Sequence, residues 1–166
     1  MSMVNRNLRR VVKIQPTMTA DDNGDNDVAF NWTEIPKACS EKGVATMLQS
    51  VGMLDADDSG APLELIFAVG QTDGSAPSGA QKLGHGSAVV DITGAEAQAV
   101  QICGSVQMTL AEGDLLTAQI ITKTNIGLVM QPYSTSDSLY VAGVWRGDPD
   151  TTGATGTMDI YLGFED

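Results

Sequence analysis

Strict alternation of apolar and polar residues constrains this chain more than any other feature. Val100, Ile102, Gly104, Val106, Met108 and Leu110 share one parity, while Gln101, Cys103, Ser105, Gln107 and Thr109 take the other. A period of two sends successive side chains to opposite faces of a strand, so this is a half-buried strand and not a helix. The signal recurs along the chain. Leu63, Leu65, Phe67 and Val69 alternate with Glu64, Ile66 and Ala68, and Leu8, Arg10, Val12 and Ile14 alternate with Arg9, Val11 and Lys13. Val28, Phe30 and Trp32 fall on one face of a short strand. GVATMLQSVGML, residues 43–54, is apolar on both faces, as a strand crossing the middle of a sheet is. Further strands carry Leu116, Ala118 and Ile120, then Ile126, Leu128 and Met130, then Leu139 to Trp145, then Met158, Ile160 and Leu162.

Turn-forming clusters separate these runs at Asp21–Asp27, Asp55–Gly60, Glu112–Asp114, Thr124-Asn125, Ser134–Ser138 and Asp148–Gly156. Residues 43–54 and 63–69 read as a hairpin, and the strand ending at Leu110 reads as returning through Leu116. Helix signals are confined to Thr93 and Glu96, which have capping-box spacing before an alanine-rich turn. Residues 70–86 hold five glycines and almost nothing to bury, which predicts a long surface loop. Eight to ten short strands without βαβ alternation predict an all-β antiparallel β-sandwich, of jelly-roll type by preference. A chain of 166 residues suits one such domain. The division expected is an extended basic N-terminal arm or edge strand over 1–15 and a single sandwich over 16–166.

Charge is unevenly placed. Arg6, Arg9, Arg10 and Lys13 are the only charged residues before Asp21, and the rest of the chain sets five cations against 21 carboxylates, for a net charge of -12. An acidic body repels phosphate, so direct nucleic-acid binding is not expected. No run of 18 apolar residues occurs and the first residues have no apolar signal-peptide region, so neither a membrane partner nor secretion by a signal peptide is expected. Cys39 and Cys103 match no ligand spacing and are read as reduced and buried.

Catalytic chemistry finds little purchase. His85 is the only histidine and sits between glycines, and neither a nucleophile elbow nor a phosphate-binding loop is present. No cofactor or metal is expected. Asp55, Asp57, Ser59 and Gly60 match the first half of a calcium loop, but its twelfth position is Ile66 where a bidentate Glu belongs. That cluster, and the one formed by Asp22, Asp25 and Asp27, read as solvated turns. Arg146-Gly147-Asp148 reads as the start of a turn rather than an adhesion signal. Trp32, Trp145 and Tyr140 are the large amphipathic side chains, serving as core or interface anchors. Partner contacts are therefore expected at Arg6, Arg9, Arg10, Lys13, Trp32 and Trp145.

Four segments, NRNLRRVVKI at 5–14, VAFNWTEIP at 28–36, LYVAGVW at 139–145 and MDIYLG at 158–163, resemble small virion structural proteins of tailed marine phages, of the capsid decoration or cement type. The resemblance spans both ends of the chain. It implies a β-sandwich body that self-associates, often as trimers, and attaches to the major capsid protein on the outside of the shell. It also implies a place on the virion surface after synthesis in the host cytoplasm, and no catalytic residues. Length agrees: 166 residues are few for a major capsid protein or a portal, and no heptads announce a fibre. Three alternatives stand beside it: a tail or head-completion component, an enzyme using His85 as base, and a carbohydrate-binding module. The last requires a sugar-stacking aromatic among Trp32, Tyr133, Tyr140, Trp145 and Tyr161.

Overall fold

Pairing of the first strand with the last, the second with the seventh, the third with the sixth and the fourth with the fifth defines this molecule. The computed structural model describes residues 9–19, 24–56, 61–84, 89–109, 118–149 and 158–166. They form β1 (Arg9–Ile14), β2 (Val28–Ile35), β3 (Thr46–Asp55), β4 (Leu63–Ala68), β5 (Ile102–Met108), β6 (Gln119–Met130), β7 (Leu139–Trp145) and β8 (Met158–Glu165), with one short helix, α1 (Gly94–Ala99). The strands make two four-stranded sheets, ordered β1-β8-β3-β6 and β2-β7-β4-β5, with every pair antiparallel. One long ribbon folded at β4 and β5 and then rolled gives those four pairs, and rolling adds the contacts β8 to β3 and β7 to β4. That is the jelly roll expected from the alternation.

The two sheets close on one core. Leu48, Val51, Met53, Ile121, Met130, Ile160, Leu162 and Phe164 from the first meet Phe30, Leu63, Leu65, Phe67, Val106, Met108, Val141 and Trp145 from the second. Phe30 lies flat over Gly143 of the neighbouring strand β7, where a Cβ would collide with the ring. Glycine in mid-strand normally weakens a sheet, and here it makes room for an aromatic side chain.

Alternation told which face of a strand is buried but not which strand lies beside it. The expected hairpin of β3 with β4 is absent, because they belong to opposite sheets and face each other across the core. β5 and β6 likewise separate, and β5 instead pairs with β4 across the long connection from 69 to 101. Bulges caused two further departures. In β2, register shifts on both sides of Phe30 turn Phe30 into the core while Val28 and Trp32 face outward. In β6, the turn expected at Thr124-Asn125 is instead a register shift inside one continuous strand, which joins the two strands expected there and turns Ile121 and not Ile120 inward; Leu116 lies outside the described residues.

The basic N-terminal stretch takes its edge-strand form over residues 9–14: β1 hydrogen-bonds to β8 from Arg9↔Glu165 to Ile14↔Ile160. Around α1, the Glu96 N–H donates to Thr93 Oγ1 at 3.3 Å and the Thr93 N–H donates to Glu96 Oε2 at 2.8 Å, the reciprocal capping box its spacing predicted.

Candidate interaction face of the sandwich

A sandwich has two outer faces, and this chain treats them differently. Outside the β2-β7-β4-β5 sheet, Val28, Ala142 and Val144 meet Leu83, with Trp32, Ile66, Val90 and Ile92 around them. The stretch between β4 and β5 thus folds back over its own sheet. It is sewn down by polar contacts: the Trp32 indole donates to Gln81 O at 2.8 Å, Asn31 Nδ2 donates to Gly84 O at 2.9 Å, the Leu83 N–H donates to Asn31 Oδ1 at 3.1 Å, and Tyr140 Oη donates to Gly74 O at 3.0 Å. A long surface loop with almost nothing to bury, or an excursion toward a partner, was expected over 70–86. Leu83, wholly buried, corrects that reading.

No described residue covers the outer face of the β1-β8-β3-β6 sheet in this way. Register sets its side chains in four cross-strand rows. Arg9, Glu165, Met47 and Val129 form the first; Val11, Gly163, Ser50 and Thr124 the second; Lys13, Tyr161, Gly52 and Thr122 the third; and Asp159, Leu54 and Ile120 the fourth. Val11 is 73% exposed, Val129 63%, Ile120 47% and Tyr161 39%, four of the seven large hydrophobics exposed among the described residues. Gly163 floors a groove of about 480 Å³ beside Val11, Gln49, Ser50 and Thr124, and a Cβ at Gly163 would collide with Ser50 Oγ.

Charge on this face cancels. Arg9 pairs with Glu165 at 3.7 Å and Lys13 with Asp159 at 2.7 Å. Lys13 Nζ also stands 5.6 Å from the centre of the Tyr161 ring. The Asp159 hydrogen bond, above all, raises the Lys13 pKa from its ordinary value. Two cations and two carboxylates leave the face neutral on a chain of net charge -12.

Residues singled out in the sequence separate into distinct places. Arg9 and Lys13 stand on this face. Arg10 does not: its guanidinium is bound at 2.7 Å by each carboxylate oxygen of Asp166 and donates to Ala38 O at 2.7 Å, so it ties the chain to itself. Burial by itself raises the Asp166 carboxyl, but hydrogen bonds from Arg10, Ser40 and Thr46 together with the Arg10 charge outweigh it and hold the pKa at about 2. Trp145 is 2% exposed in the core and offers no surface, and Trp32 is half-buried under the covering stretch. Arg6, His85, Asp22 and Asp57 lie outside the described residues. Asp27 Oδ2 accepts the Gly24 N–H at 2.7 Å, which makes a turn. Among the described residues no three His, Cys, Asp or Glu side chains converge as metal ligands would. Arg146 bonds to Glu64 on β4 and to Asn26, so it ties its turn to the neighbouring strand and to the turn before β2. Burial pushes the Cys39 thiol up to about 12.

Sequence reasoning missed Met47, Leu54, Ile120 and Val129. A signal existed: Ile120-Ile121 and Leu128-Val129-Met130 are apolar on both parities in what proves to be an edge strand, and an edge strand needs only one buried face.

No protein-family model matches the chain, and no curated protein does. Among solved structures it is similar to a chain of the giant freshwater prawn Macrobrachium rosenbergii nodavirus (MrNV) semi-empty VLP, at 12% identity and a TM-score of 0.32, over 99% of this chain and 95% of that one. It is also similar to chains of infectious bursal disease virus, Gt strain at 11% identity and TM-score 0.22, and Gx strain at 10% and 0.21. The chain is covered to 97% in both and spans 42% and 41% of the length of those viral chains. These likenesses are distant, and the jelly roll stands on its own strand order.

Proposed function

We propose that this chain is a non-enzymatic virion structural protein, a small accessory coat protein of the decoration or cement type. In this reading it attaches to the outside of a tailed-phage head, contacts the major capsid protein and copies of itself, and stabilises the shell. The observation that carries the reading is the unequal treatment of the two outer faces: one is covered by the chain's own connection, the other is left uncovered by the described residues, is neutral and exposes Val11, Ile120, Val129 and Tyr161. Four of the seven exposed large hydrophobics among the described residues lie on this one sheet face, and that concentration favours a protein contact.

The architecture supports it at the level of analogy, since jelly rolls serve viral capsid domains, lectins and cupins. Of the aromatics a lectin would use, Trp145 and Tyr140 are buried and Trp32 and Tyr133 are half-buried. Tyr161 has its ring attended by Lys13 where a sugar would stack. A coat role asks only for surfaces, and these are present. The test is cryo-electron microscopy of purified protein mixed with undecorated capsid shells. Regular, symmetry-related density outside the shell is the expected result; density confined to the tail, or none, would transfer the chain to tail or head-completion work.

A further inference from the structure

We propose that β1 is a strap closed by the Arg10–Asp166 clasp, that it opens as a unit ahead of the rest of the sandwich, and that its opening uncovers Cys39. The device belongs to the fold itself and stands whether or not the chain coats a shell.

β1 is lightly held. Its six residues pair with a single neighbour, β8, and of the six Ile14 alone is buried, with Val12 packed against the core. β8 does not depend on this pairing, because its other side runs along β3 from Met47↔Glu165 to Asp55↔Met158. Beyond β1 the chain is pinned to β2 at Thr19, whose N–H donates to Ala29 O at 2.9 Å and whose Oγ1 donates to Val28 O at 2.9 Å. The strap can therefore lift while β8, β3 and β2 keep their places, which is the form that local opening of a folded domain takes.

One side chain supplies most of the fastening. The Arg9 and Lys13 side chains are 82% and 50% exposed, and water screens their ion pairs. Arg10 shares the core-facing parity of Val12 and Ile14, and its guanidinium holds both carboxylate oxygens of Asp166 together with Ala38 O. Asp166 in turn accepts the Ser40 N–H at 3.1 Å. The clasp thus grips the residues on either side of Cys39, which is 2% exposed. Burial first, and then the Asp166 charge, push this thiol up to about 12, and a thiol so far from its thiolate is inert while the clasp is shut. Lifting Arg10 away admits water to it. Opening also leaves β8 with an unpaired edge beside Asp159, Glu165 and Asp166, chemistry that suits an extended basic strand because it already holds one.

Thiol labelling of the full chain with dithiodipyridine, read by peptide-resolved mass spectrometry beside amide hydrogen exchange, tests the device. The Cys39 thiolate attacks one sulfur of the reagent, forms a mixed disulfide and expels the other as a pyridine thiolate. The expected result is that Cys39 labelling and β1 exchange run together and depend weakly on urea up to about 2 M, while β3 amides show the full urea slope of unfolding. Ile14 lies at the other end of the strand, roughly 13 Å from Arg10 at about 3.3 Å per residue. Ile14→Ala should nevertheless speed Cys39 labelling about tenfold or more, with the weak slope kept. Labelling that follows β3 exchange at every urea concentration would overturn the proposal, because Cys39 would then be uncovered by whole-domain unfolding. Labelling that Ile14→Ala leaves unchanged would overturn it as well, since the connection bearing Cys39 would be moving without β1. Should Ile14→Ala fail to fold, the slopes measured on the unaltered chain still decide.

Discussion

At the scale of single residues, the basic start of the chain is met by carboxylates at its other end. Arg9, Arg10 and Lys13 pair with Glu165, Asp166 and Asp159, all on or just beyond β8. The exposed pairs contribute little, since water screens them. Arg10–Asp166 differs: it is bidentate, its two side chains are 22% and 9% exposed, and Ala38 O and the Ser40 N–H add further hydrogen bonds. Asp166→Asn removes one of the three acceptors of Arg10 together with the opposing charge and should cost roughly 1–3 kcal/mol at neutral pH. Because the folded pKa of Asp166 is lowered from 3.8 to about 2, its carboxylate contributes stability fully present above the unfolded value. That contribution is lost as pH falls through the folded one. Urea denaturation of both proteins between about pH 6 and pH 2 should therefore show the gap closing toward the acid end. A gap that stays constant would show that this carboxylate does not titrate with unfolding.

Elements rather than residues decide the asymmetry of the sandwich. The connection between β4 and β5 carries α1, a 3₁₀ turn at Gly79–Gln81 and one wholly buried leucine, and it behaves as a layer of the domain. Leu83→Ala should cost about 2–5 kcal/mol, the range for emptying a packed site. Lys82→Ala beside it should stay within about 0.5 kcal/mol. Equilibrium unfolding of the two variants separates a structural cover from a loose loop, and equal small effects would favour the loop. Element type was legible in the sequence because parity and turn chemistry are local. Capping at Thr93 and Glu96 was legible for the same reason. Leu83 was not, as a single apolar residue in a glycine-rich run has no periodicity to announce its burial.

On the scale of the whole molecule, pairing β1 with β8 and β2 with β7 means that the chain must bring its ends together before most of its sheet can form. Loop closure of that kind is slow, and all-β folds of non-local pairing fold in milliseconds to seconds. Stopped-flow refolding followed by tryptophan emission should fall in that range, with Trp145 moving from water to a site 2% exposed. Folding within microseconds would contradict the topology. By itself the sequence determined the all-β class, the strand positions apart from the turn expected inside β6, the capped helical turn and the charge asymmetry, because each depends on neighbours a few residues apart. Tertiary structure alone decided the rest. It placed β3 and β4 in opposite sheets, used Arg10 and Trp145 internally, and, among the described residues, covered one outer face and not the other. The physical reason is that alternation fixes the face a side chain takes, while the partner that face meets is chosen by contacts more than a hundred residues away, such as Arg10 with Asp166.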